Sequence, residues 1–159
     1  MKKWNNFISE VKNKRKTIAF IICVNSHSKI LVIKRSPTDE AHPKAWDLPG
    51  GHIDDEDKSI EDGVLRELEE ETGLKSSAKD LIYVEKKESA DADKYYYTTT
   101  QWSGTIHFVE NPKTGVVEHT DSKWATIDEI KEEKSLGLRT FPIYLLDRAL
   151  EKLKNDQTS

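Results

Sequence analysis

The chain carries one cysteine, Cys23, in 159 residues, so an internal disulfide framework is excluded. Cys23 lies in the apolar run Ile18-Ala19-Phe20-Ile21-Ile22-Cys23-Val24, where a small buried hydrophobe is expected rather than a reactive thiol. That run is far short of the ~20 apolar residues a membrane helix needs. The N-terminus has neither the apolar core nor the cleavage site of a signal peptide. No membrane partner and a reducing, cytoplasmic location are therefore expected. An excess of cationic residues is also lacking: 25 Lys and Arg stand against 29 Asp and Glu, a net charge of −4, which argues against a general nucleic-acid-binding surface. It does not exclude nucleotides, whose charge a metal ion and a few basic side chains can meet locally.

With 35% hydrophobic and 34% charged residues and a mean hydropathy of −0.74, the chain is polar but not of disordered composition. No internal repeat or low-complexity segment occurs. A chain of this size forms one domain, here residues 1–159, and buries about two-thirds of its unfolded surface.

The most informative segment is residues 50–74. Ser59 with Asp62 three residues on predicts a helix start, and Gly73 predicts a left-handed C-cap, so a helix is expected over 59–72. Ile60, Val64 and Leu68, with Leu65 and Thr72 alongside, form its apolar stripe. Glu67, Glu70 and Glu71, at i, i+3 and i+4, converge on another face. Like charges at this spacing destabilise a helix by roughly 0.2–0.5 kcal/mol per pair, so such a face is either solvated or the site of a hard divalent cation. Oxygen ligands of this kind suit Mg²⁺ or Mn²⁺ working with substrate phosphates.

Arg66-Glu67-Leu68-Glu69-Glu70-Glu71-Thr72-Gly73-Leu74 resembles the second half of the Nudix box, G-x5-E-x7-R-E-U-x-E-E-x-G-U with U a bulky aliphatic residue. Trp46-Asp47-Leu48-Pro49-Gly50-Gly51 is similar to the strand and double glycine leading into that box. The likeness extends to two apolar strands upstream and to Glu118 and Trp124 downstream, roughly residues 17–130. The resemblance implies an α/β/α sandwich with a mixed, curved central sheet. It also implies metal-dependent hydrolysis of a nucleoside diphosphate linked to another moiety, a small-molecule nucleotide substrate. Many relatives are dimers, which leaves a homodimer open.

One departure stands out. Counted from Gly51 the first Glu of the box falls at Asp57, and counted back from Arg66 it falls at Lys58. A single insertion in the loop before the helix accounts for this, because an extra helical residue would swing the Glu cluster by about 100°. Lys58 then replaces the box Glu, and whether Asp57 or Glu56 reaches Arg66 in its stead is open.

By the resemblance, Glu70, Glu71 and the backbone carbonyl of Gly50 are metal ligands, Glu67 is a ligand or helps deprotonate water, and Arg66 orients the carboxylates. Glu118 matches an additional catalytic or metal-binding Glu, with an exposed strand-end carboxylate as the alternative. Among lesser candidates, Arg35 would meet a substrate phosphate or lie on the surface. His52 would shuttle a proton or face solvent. Trp46, Tyr95 to Tyr97 and Trp102 would stack on a base or pack, and Trp124 belongs to the core.

Elsewhere the pattern predicts a helix over 3–12 and a hairpin of Thr17 to Val24 and Lys29 to Lys34 around Asn25-Ser26-His27-Ser28. A short strand at 46–48, a strand over 81–88, β-rich sequence over 94–110 and an edge strand over 122–125 follow. Helices are expected over 126–133, capped by Thr126 and Glu129, and over 141–153 with Pro142 at N1, before a frayed tail. Three other functions stay open. One is an RNA-decapping or dinucleoside polyphosphate hydrolase. Another is a non-catalytic nucleotide-binding module, disfavoured because Arg66 and all three Glu are kept. The third is an isoprenoid-diphosphate isomerase, disfavoured by the position of Cys23.

Overall fold

The computed structural model describes residues 15–39, 43–132 and 141–158. The helix expected over 3–12 lies outside them. The elements run β1 (Lys16–Cys23), β2 (Ile30–Arg35), β3 (Trp46–Asp47), β4 (Gly50–His52), α1 (Ile60–Thr72), β5 (Ile82–Glu88), β6 (Ala92–Thr99), β7 (His119–Ala125), α2 (Ile127–Glu132) and α3 (Tyr144–Thr158).

Strand β1 explains the architecture. Ala19, Ile21 and Cys23 enter one core with Leu31 and with Val64 and Leu68 of α1. Phe20, Ile22 and Val24 enter a second core with Val32, Tyr96 and Leu145, Leu146 and Ala149 of α3. A strand covered on both faces needs a continuous apolar run rather than an alternating one, and residues 18–24 supply it. The result is an α/β/α sandwich.

Its central layer divides into a four-stranded sheet, β4-β1-β6-β5, and a three-stranded sheet, β3-β2-β7. The first is mixed, because β1 and β6 run parallel while the other pairs are antiparallel. The hairpin expected for β1 and β2 is not formed. The tight turn is present, with Asn25 Oδ1 accepting from the N–H groups of His27 and Lys29. Beyond it the strands share only an isolated bridge, Val24 with Ile30. A strand has two edges: those of β1 are taken by β4 and β6, and those of β2 by β3 and β7.

Other boundaries shift for local reasons. Strand β6 ends at Thr99 rather than continuing to 110, because Thr99 Oγ1 donates to Asp80 O and accepts from Gln101 N–H, turning the chain away. Gly104, with φ +94°, then bends it over the C-terminus of α1, where His107 N–H donates to Thr72 O. Strand β7 starts at His119, earlier than expected, in register with Arg35 of β2. Helix α2 has its reciprocal cap: Glu129 N–H donates to Thr126 Oγ1, and Thr126 N–H donates to Glu129 Oε1. Pro142 precedes α3 in a turn instead of occupying N1, its carbonyl accepting from Leu145 N–H, and the helix runs on past Leu153 through the tail expected to fray. Among the described residues no helix is long and apolar enough to cross a membrane.

Candidate active site

Helix α1 begins as its sequence dictates. Ser59 accepts at 3.0 Å from Asp62 N–H, and Gly73 ends the helix in the left-handed conformation with φ +80°. The buried stripe, Gly63, Val64, Leu68 and Thr72, turns Arg66, Glu67, Glu70 and Glu71 toward strand β4. Two glycines let the helix and strand approach. A Cβ on Gly51 would lie 2.8 Å from Glu67 Cδ. Gly50, at φ +153°, has no room for one, since it would sit 2.2 Å from the Ala19 carbonyl oxygen. The amide of Gly50 instead donates to Glu71 Oε2 at 3.2 Å.

Arg66 organises this surface. Its Nε and Nη2 donate to the two oxygens of Asp57 at 2.9 and 3.0 Å, and Nη2 also donates to the His52 carbonyl at 3.1 Å. Nη1 donates to Glu67 at 3.2 Å and Glu70 at 3.1 Å. Asp57, not Glu56 or the exposed Lys58, therefore serves as the partner of Arg66. Gly63 makes room for the loop that brings it, because a Cβ there would press on Ile53 and Asp57.

Glu67 and Glu71 lie side by side in this buried corner, and each disfavours a charge on the other. Burial, followed by the charge of Glu67, pushes the Glu71 carboxyl well above the usual range. Burial also raises Glu67, against the pull of the Glu71 hydrogen bond and of Arg66. All the ligand atoms here are oxygens, and burial disfavours charge on Glu67 and Glu71, a cost that a hard divalent ion would offset, so the group fits such an ion. Among the described residues no set of three or more His, Cys, Asp or Glu groups is gathered into a complete metal cage. Mg²⁺ does not require one, since it binds through one or two carboxylates with waters and substrate phosphates.

These groups line a cleft of about 670 Å³ together with Ile18, Phe20, Leu48, Lys94, Asn111 and Lys113. The site residues expected from the sequence divide as follows. Gly50, His52, Arg66, Glu67, Glu70, Glu71, Glu118 and Arg35 all line this cleft. Glu118 also lines a small adjoining pocket with Glu67, Glu70 and Glu71, its Oε1 accepting from Asn111 Nδ2 at 3.0 Å.

Arg35 is already engaged, donating to the buried Asp47 at 2.8 Å and to Asp39 at 3.2 Å, so it is not a bare cation waiting for phosphate. Trp46 does not line the cleft. It packs against the α3-side core, with Lys34 and Lys123 over its ring. Tyr96 and Tyr97 are buried, and Trp102 stacks on Trp124 at 5.3 Å, so the aromatic run of β6 is packing rather than a base platform.

Sequence reasoning missed Asp47 and His119. Asp47 is buried beneath Arg35 with its Oδ1 accepting from Leu48 N–H. His119 lies level with Arg35, and burial, reinforced by the Arg35 charge, lowers its imidazole to about 4, so it is neutral near pH 7. His119 carries no local motif, and nothing in the segment Trp46 to Gly51 marks Asp47 as the partner of Arg35. Each acquires its environment from a strand pairing.

A NUDIX domain family model matches residues 14–145. A MutT-like protein of Streptomyces ambofaciens is 31% identical over 130 residues, covering 79% of this chain and 71% of that protein. The m7GpppN-mRNA hydrolase NUDT17 of Xenopus laevis is 36% identical over 67 residues, covering 42% of this chain and 22% of that longer protein. Among solved structures, the NUDIX domain of Shewanella oneidensis NrtR, complexed with ADP ribose, superposes with a TM-score of 0.68 at 18% identity, covering 96% of this chain and 97% of that one. At that identity the likeness is one of fold.

Proposed function

Since the chain belongs to the Nudix family and is on that ground a nucleotide pyrophosphohydrolase, we propose that it cleaves the phosphoanhydride of a nucleoside diphosphate linked to another moiety, with Mg²⁺ or Mn²⁺. The observation carrying this reading is the cluster of Glu67, Glu70 and Glu71, held by one arginine over the double glycine of β4. Glu67, Glu70, Glu71 and the Gly50 carbonyl would hold the divalent ions. Bound there, such ions lower the pKa of water and neutralise charge on the phosphate oxygens.

The protein's own groups do the rest. Arg66 fixes the directions of Glu67 and Glu70 through Nη1, so a carboxylate is aimed where water approaches phosphorus. One of the glutamates takes the proton as the water oxygen bonds to phosphorus and the bridging P–O bond breaks. The products are a nucleoside monophosphate and pyrophosphate or a phosphorylated partner. Glu118, which lines a small pocket with the three glutamates, would assist as a second base or ligand. His52, exposed at the cleft edge, would relay the proton to solvent.

A second reading, action on capped RNA or a dinucleoside polyphosphate, is supported by the likeness to the Xenopus laevis cap hydrolase, which is confined to 67 residues. Product release is to be measured from nucleoside triphosphates, nucleotide sugars, dinucleoside polyphosphates and capped RNA, with and without Mg²⁺ or Mn²⁺. One class should turn over with metal, and Glu70→Gln should reduce the rate by at least ~10²-fold. No turnover of any class by the wild type would leave a nucleotide-binding module in place of an enzyme.

A further inference from the structure

The cleft contains four Lys and Arg side chains, and three of them are matched by acids. Arg35 is paired with Asp39 and Asp47, Arg66 with Asp54, Asp57, Glu67 and Glu70, and Lys113 with Asp54. The fourth, Lys94, is half-buried and makes no side-chain hydrogen bond or ion pair with any described residue.

Its place in the sheet is specific. Lys94 of β6 is level with Ile18 of β1, which is level with His52 of β4, so the three side chains stand in one row on one face. Two strand spacings, about 10 Å, separate the Cα atoms of Lys94 and His52. Alternation sends Ala19 and Ile21 toward α1, so Ile18 and Phe20, which also line the cleft, face the other way. Strand β4 is an edge of its sheet. The cleft therefore rounds that edge, from the carboxylates at one end, over an apolar shelf of Ile18, Phe20 and Leu48, to Lys94 at the other.

A second observation points the same way. Lys94 is directly opposite Lys87 of β5, and like charges in that position destabilise a sheet. The Lys87 ammonium donates to the Tyr144 hydroxyl at 3.0 Å, leaving Lys94 to the cleft.

The geometry points to Lys94 as an anion subsite, taking a carboxylate or phosphate that the substrate carries outside the diphosphate being cleaved. The ammonium is a compact charge with three donors on a flexible stem, suited to an oxyanion whose exact direction varies. The inference rests on the hydrolase reading only for which bond is broken; recognition of the charge is a binding property.

The test uses two matched ligand pairs. UDP-glucose and UDP-glucuronate differ by a carboxylate on the moiety beyond the diphosphate, and NADH and NADPH differ by a phosphate on the nucleoside. Affinities are measured by calorimetry with Mg²⁺ in the Glu70→Gln protein, alone and combined with Lys94→Gln or Lys94→Arg. The member carrying the additional anionic group in at least one pair should bind at least about tenfold tighter than the other member, as one charge-assisted hydrogen bond supplies. Lys94→Gln should bring that ratio to near one, and Lys94→Arg should retain it. The pair that responds shows which half of the substrate carries the anion. Absence of a preference in both pairs, or a preference that survives Lys94→Gln, overturns the subsite. Failure of the hydrolase reading appears separately, as wild-type protein that binds these compounds and releases no product from any of them or from the wider panel.

Discussion

Asp57 meets the guanidinium of Arg66 with both carboxylate oxygens, at 2.9 Å to Nε and 3.0 Å to Nη2. One of those oxygens also accepts from the Asp54 amide at 2.8 Å, so the same side chain closes the loop on itself. The extra residue between Gly51 and Arg66 is thus absorbed before α1 begins, and the helix keeps its face toward β4. An aspartate is shorter than the glutamate of the family pattern. The approach of the loop over Gly63 makes up the difference.

Asp57→Ala should lower stability by about 1.5–3 kcal/mol, the worth of hydrogen bonds to a charged group. Turnover should fall by roughly 10–10²-fold, as for removal of a group that orients ligands. Arg66 holds the Asp57 carboxyl below its ordinary range. Its stabilising contribution is therefore complete above the ordinary carboxylate pKa of about 3.9 and disappears as pH falls through the lowered value. Thermal melts of wild type and variant should converge in strong acid and separate near neutrality.

Glu71 behaves in the opposite sense. Its carboxyl is raised by burial and then by Glu67, so the folded protein holds a proton that the unfolded chain has released. Without divalent metal, stability should fall as pH rises above the ordinary carboxylate range. Glu71→Gln should flatten that slope, raise the melting temperature of the metal-free protein and abolish turnover. A variant that melts lower than wild type at pH 8 without metal would contradict this account.

His119 is held to about 4 by burial and by Arg35, while the unfolded imidazole titrates near its ordinary 6.5. The unfolded chain therefore binds the extra proton first, and stability is lost as pH falls from about 6.5 to about 4. His119→Gln should remove this part of the acid slope. A proton NMR titration should find one imidazole that does not charge between pH 5 and 8.

Cys23 is fully buried, and its thiol is pushed up to about 12 by burial alone. Alkylating reagents should leave it untouched in the native protein at pH 8 and modify it on unfolding in denaturant. Rapid native labelling would show that β1 is less protected than its position between two cores implies.

The limits of α1, its two caps and the convergence of Glu67, Glu70 and Glu71 could be read from the sequence because each depends on residues within about a turn of one another. The double glycine and Glu118 were legible through the family pattern. The hairpin assigned to β1 and β2 was not formed, because local turn chemistry at residues 25–28 says where the chain reverses and nothing about which edges later strands will occupy. The aromatic run of β6 was ambiguous for the same reason. Only its neighbours decide that Tyr96 stacks on Phe20 and that Lys94 looks into the cleft.

What the sequence by itself determined is one helix and the chemistry of its face, since the α-helical repeat converts spacing along the chain directly into position in space. Tertiary structure decided the charge state and neighbours of the groups around that face. Arg35 is paired because β3 brings Asp47 beside it, His119 is kept uncharged near pH 7 because β7 pairs with β2, and Lys94, in the same cleft, has no side-chain hydrogen bond or ion pair among the described residues. Those relations join residues far apart in the chain, and they come into being only when the strands choose their partners and the interior is closed to water.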